Sequence, residues 1–195
     1  MSLLFYSTML DANACQQNLG GELDLLPPDI IETLKVVSDA FCEIQVKQSD
    51  TIYRVRVTGS VRKISEQAEY IYQCLKKDGC SIYQNQEAIQ EYKTIKNISR
   101  EKLEAKIQDQ LKRNCYISKH LSNRAVDIGT RSMPKSLVSL LVDLLKNTEY
   151  YVEGKKYQPM VVDRSHGTGP HLHINFEPYY FNPAKCPKEY RFQTD

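Results

Sequence analysis

Apolar residues recur every three to four positions in "LPPDIIETLKVVSDAF", where Ile30, Ile31, Leu34, Val37 and Phe41 form one stripe behind Pro27 and Pro28; this predicts a helix entered through prolines. The period then falls to two in "EIQVKQSDTIYRVRVTGS", on either side of Gln48 to Asp50, which reads as a hairpin or two neighbouring strands. A helical period returns in "SEQAEYIYQCLKKDG", with Ser65 placed as N-cap and Gly79 as the stop. From 80 to 114 the chain is polar, and "SREKLEAKIQDQLKR" reads as an amphipathic helix capped by Ser99, so this stretch has the character of a helical insertion or lid. A short strand follows over 124–128. Next come a strongly apolar helix in "PKSLVSLLVDLLKN" and two strands in "YQPMVVD" and "HLHINF". Residues 1–26 show no period and read as an irregular arm, and the proline-rich residues 177–195 as an irregular tail. The sum is an α+β fold, a small antiparallel sheet flanked by helices, in a single domain over 1–195.

Composition narrows the class. With 41% hydrophobic and 26% charged residues the chain has the make-up of an ordinary globular protein. A net charge of +2, with Lys and Arg interspersed among Glu and Asp, argues against a nucleic-acid partner. No apolar run approaches the ~20 residues of a membrane span. The six cysteines form no CxxC pair; their even number permits disulfides without requiring them. The opening residues lack the basic and apolar regions of a leader, which leaves localisation open, and extracytoplasmic if a leader has been removed. Nothing in the pattern speaks to oligomeric state.

Histidine is where the chemistry concentrates. Three of the four histidines lie within "HGTGPHLH", residues 166–173, and the fourth is His120 in "SKHLSNRAVDIG". On a strand, His171 and His173 project to one face and Leu172 and Ile174 to the other. The same alternation puts Asp127 on one side of its strand and Val126 and Ile128 on the opposite side. His120, seven residues earlier, is able to return to the same spot. His120, Asp127 and His173 thus form a candidate three-ligand zinc set with a fourth position for water, whose pKa zinc would lower toward ~7. His171, beside them, is the natural general acid or base.

These residues resemble a known family. "SKHLSNRAVDI" is similar to the SxHxxGxAxD signature of the zinc D-Ala-D-Ala peptidases, which share their fold with lysostaphin-type endopeptidases and the hedgehog signalling domain. Upstream, "RVTGSVRKISEQAEYIY" resembles a second family stretch, and "GPHLHINF" resembles the closing HxH strand, so three segments match in order from about residue 30 to 176. The resemblance implies a zinc metallopeptidase of carboxypeptidase or endopeptidase type acting on peptidoglycan peptides, with His120, Asp127 and His173 on Zn2+ and His171 catalytic. It also implies that Arg62 contacts a substrate oxygen and that Ser118 supports the metal ligands. There are departures. The family acid three residues before the last zinc histidine is Pro170 here, so His171 must carry the proton, helped by His166 or Asp163, or else the chain is a non-catalytic zinc-containing binding module of the same fold. Asn123 replaces the signature glycine, a mild change because Asn tolerates the left-handed backbone region. Gly59 and Ser60 stand where the family usually has Ser and Gly.

Overall fold

The computed structural model describes residues 15, 17–48, 51–77, 80, 83, 85–162 and 169–178. The predicted Asp163 and His166 lie outside the described residues, as do Gly79 and the tail from 179 onward. The chain divides into two compact units, residues 1–60 with 124–178, and residues 61–123 with 179–195.

The first unit holds every described strand and two helices. Its elements are β1 (Leu19–Gly21), α1 (Pro28–Val46), β2 (Val55–Gly59), and, after the excursion into the second unit, β3 (Ala125–Gly129). The second unit's helices are α2 (Ile64–Lys77), α3 (Gln86–Lys93) and α4 (Arg100–Lys112), followed by a 3-10 turn (Lys119–Ser122). The first unit then continues with α5 (Lys135–Asn147), β4 (Tyr150–Val152), β5 (Lys155–Tyr157), β6 (Met160–Val162) and β7 (His171–Asn175). Among the described residues the fold is α+β: a five-stranded sheet in the order β1-β2-β3-β7-β6, a two-stranded sheet β4-β5, and five helices. The sheet is mixed and not purely antiparallel as the periodicity suggested, because β1 runs parallel to β2 while the other pairs are antiparallel. β1 comes from the stretch read as an irregular arm; at three residues it is too short for a period to register.

The core of the first unit is built by the predicted stripe. Ile30, Leu34, Val37 and Phe41 of α1 are buried with Val55 and Val57 of β2, Val126 and Ile128 of β3, Leu172 and Ile174 of β7, and Leu141 and Leu145 of α5. Each fully buried aliphatic of this size stabilises the fold by roughly 1.5–3 kcal/mol. Residues 43–46, read as the first arm of a hairpin, are the last turn of α1. Cys42 and Gln45 are buried and continue the three-to-four spacing beyond Phe41, and four alternating residues are too few to overrule it. The Gln45 carboxamide takes over where a strand partner was expected: its Oε1 accepts from Tyr53 N at 2.7 Å and its Nε2 donates to Tyr53 O at 3.1 Å. The strand predicted over 157–163 also divides. Tyr157 ends β5 and β6 begins at Met160, separated by Pro159, which lacks the N–H a ladder requires.

The second unit packs around Ala68, Ile71, Ala88, Ile89, Tyr92, Leu103, Ile107 and Ile117. Ser99 caps α4 as predicted, accepting from Lys102 N at 3.4 Å. Ser65, predicted to cap α2, lies inside its first turn; the entrance is closed instead by Glu66, whose carboxylate accepts from Lys63 N at 3.3 Å. Asn85 caps α3, accepting from Ala88 N at 3.1 Å; α3 is a second helix in the stretch read as a helical insertion, ahead of the one placed there from its period. Among the described residues, no helix is long and apolar enough to cross a membrane.

Candidate metal centre

β3 and β7 are adjacent, and their register sets Asp127 directly opposite His173, Val126 opposite Ile174, Ile128 opposite Leu172 and Gly129 opposite His171. Alternation sends Val126, Ile128, Leu172 and Ile174 into the core, each at most 1% exposed, and leaves Asp127, His171 and His173 on the other face. The same residues that bury one side of the pair therefore aim the polar side chains together on the other.

His173 Nδ1 lies 2.8 Å from Asp127 Oδ1, and its Nε2 lies 3.0 Å from Asn175 Oδ1. The carboxamide oxygen can only accept, so Nε2 carries a proton. Nδ1 is turned to the Asp127 carboxylate, close enough for the two to share one metal ion. His120 sits on the 3-10 turn and is 4% exposed; its carbonyl accepts from Arg62 N at 3.2 Å, which holds the turn. The turn closes at Asn123, whose backbone is left-handed at φ 57, and the chain then enters β3 directly. His120, Asp127 and His173 each offer one ligand atom, and these atoms all lie within 4.8 Å of one another. Two imidazoles and a carboxylate, one of them buried, are a donor set suited to zinc.

His171 is placed differently. Its Nδ1 donates to Gly169 O at 2.8 Å, and a carbonyl can only accept, so the neutral ring carries its proton on Nδ1 and its lone pair on Nε2. Nε2 is 3.9 Å from Asp127 Oδ1, so the basic nitrogen faces the ligand cluster. Pro170 is exposed and its carbonyl accepts from Thr130 N at 3.1 Å; it offers no acid.

The remaining predicted residues are in various states of engagement. Arg62 donates through Nη1 to Gln67 Oε1 at 3.0 Å and its guanidinium lies over the Tyr70 ring at 4.9 Å. Ser118 precedes the 3-10 turn, but its hydroxyl does not cap it; the backbone carbonyl accepts from Leu121 N at 3.1 Å. Two residues outside the prediction matter. Asn175 is 4% exposed and orients His173; extending the period-two reading of HxH by one more step would have found it. At Gly59 the β2–β3 register shifts by a bulge, and a Cβ there would lie 2.9 Å from Asp127 Oδ2. Glycine thus makes room for the carboxylate, and a bulge beside a site is a common means of re-aiming it.

Searches against protein-family models, curated proteins and solved structures find no match to this chain.

Proposed function

We propose that the chain is a zinc-dependent peptidase that hydrolyses bacterial cell-wall peptides next to a D-amino acid. The observation that carries the reading is the convergence of His120, Asp127 and His173 within 4.8 Å, beside a histidine whose basic nitrogen faces them. The ordered resemblance of three segments to the zinc D-Ala-D-Ala peptidases supplies the substrate class, which the geometry by itself does not specify.

When bound, zinc supplies a Lewis acid for the scissile carbonyl and lowers the pKa of water. The chain's own residues do the rest. His171 Nε2 accepts the proton released at attack and returns it to the leaving amine, while the Nδ1–H bond to Gly169 O keeps the ring in the tautomer that leaves Nε2 basic. Asp127 faces both His171 and His173, so it stabilises the imidazolium that forms during the transfer. Arg62 commits one donor to Gln67, leaving others of its five for a substrate oxygen. The disulfides Cys15–Cys42 and Cys74–Cys80, with Cys115 also disulfide-bonded, support residence in an oxidising, extracytoplasmic compartment.

A zinc-retaining binding module is the second reading, favoured by Pro170 at the position of the family's acid. Incubating zinc-loaded protein with peptidoglycan and locating new amine termini by mass spectrometry separates the two. The expected result is cleavage by wild type, with His171→Ala keeping zinc and losing on the order of 10²-fold in rate. Equal rates would reject the role given to His171. Intact muropeptides across a range of cross-links, with zinc bound, would leave the binding module.

A further inference from the structure

A cation stands beside the segment that enters β7. Gly129 ends β3 opposite His171, and the turn after it is pinned to the segment entering β7: Thr130 N donates to Pro170 O at 3.1 Å, and Met133 N to Thr130 O at 3.0 Å. Arg131 lies in that turn. Its guanidinium rests on Gly169, where a Cβ would stand 2.8 Å from Nη2 and 3.7 Å from Cζ. Gly169 has φ +106, in the region that favours glycine, so this position both turns the chain and leaves space for the guanidinium. The carbonyl of the same glycine orients His171. The fork is therefore seated against the residue that aims the basic nitrogen. Arg131 is exposed and, among the described residues, makes no ion pair, whereas Arg62 is engaged by Gln67 and Tyr70.

We propose that Arg131 is a ligand-binding residue: it anchors a carboxylate of the molecule that occupies the Asp127–His171–His173 face. A planar fork of N–H donors that, among the described residues, holds no carboxylate matches such a group in a two-pronged contact. That the molecule is a peptide rests on the peptidase reading; the anion site does not.

The test is titration of N-acetyl-D-Ala-D-Ala and of its C-terminal amide into wild type, Arg131→Ala and Arg131→Lys, each zinc-loaded and after chelation. Wild type should prefer the free acid by about tenfold or more, the scale of a hydrogen bond to a charged group, with and without zinc. Arg131→Ala should abolish the preference and Arg131→Lys should reduce it. Gly169→Ala, which puts a methyl group where the guanidinium lies, should reduce it as well. The proposal is overturned if the preference survives Arg131→Ala, vanishes on chelation, or never exists because acid and amide bind alike or neither binds. Hydrolysis is read separately on the same samples. Preference for the acid without cleavage retires the peptidase reading and keeps the anion site.

Discussion

Asn175 shows how one buried amide can decide what a histidine offers. By accepting from Nε2 of His173 it leaves Nδ1 toward Asp127, so the ring's orientation is settled by a residue two positions along the same strand face. Asn175→Ala should lower zinc affinity by roughly 10–100-fold, the usual cost of losing such support. Asn175→Asp, which keeps the acceptor, should lose less. Competition with a chelator measures both, and an unchanged affinity in Asn175→Ala would remove the residue from the site. At this scale the sequence was legible where chemistry is rare: His120, His171, His173 and Asp127 stand at telling spacings and come together. Asn175, Gly59 and Arg131 were harder to see because their roles are relational. An amide, a missing Cβ and a surface arginine acquire meaning only from the atom each one meets.

The elements are held in place by a clamp at the start of β3. Arg124, 8% exposed, donates through Nε to Phe176 O at 3.3 Å and through Nη2 to Glu177 O, while Nη1 pairs with Asp29 at the entrance of α1. Its own carbonyl accepts from Phe176 N at 2.8 Å. One side chain thus ties the entry of β3 to the exit of β7 and to α1, fixing the strand pair that carries Asp127 and His173. Truncating it removes the donor of a partly buried carboxylate and of the Phe176 carbonyl, while the Glu177 carbonyl keeps the Tyr150 hydroxyl. Arg124→Ala should destabilise the first unit by about 3–5 kcal/mol, the range for breaking a buried pair. Urea denaturation checks this, and a loss below about 1 kcal/mol would mean the clamp is dispensable. Element prediction succeeded where a stripe was long, as in α1, α4 and α5, and failed where evidence was short. The β4–β5 hairpin turns through Glu153 and Gly154, both at positive φ (51 and 76), and a Glu-Gly pair gives a weaker turn signal than Asn-Gly or Asp-Gly. α3 is only eight residues long and mostly polar; its buried side is Ala88, Ile89, Glu91 and Tyr92, which no hydrophobic count would select.

For the whole molecule, alkaline pH offers a probe of the core. Tyr150 is 5% exposed, donates to Glu177 O at 2.9 Å and packs against Tyr157 and Phe176. Burial pushes its hydroxyl up to about 12 from an ordinary 10.0, against the lowering pull of Arg124. A raised folded value means that the native state keeps its proton where the unfolded chain has lost it. The stabilisation from the neutral hydroxyl is therefore complete below pH 10 and is lost as pH rises from 10 to 12. Melting temperature should fall across that window, and Tyr150→Phe, less stable at neutral pH, should show a shallower fall. Identical slopes would place the titration elsewhere.

The strict alternation along β7 also sets how this protein tolerates change by insertion or deletion as against substitution. Because His171, His173 and Asn175 share a strand with Leu172 and Ile174, a single in-frame codon lost from 171–175 exchanges the two faces at once, sending imidazoles into the core and aliphatic side chains to the ligand cluster. The flanking strands β3 and β6 pair with β7 on both sides, so slippage on one side alone breaks the ladder on the other. Point changes can erode the ligands and the core separately. A one-residue indel in this strand has no such partial outcome, and two compensating residues would be the smallest length change that returns each side chain to its own face.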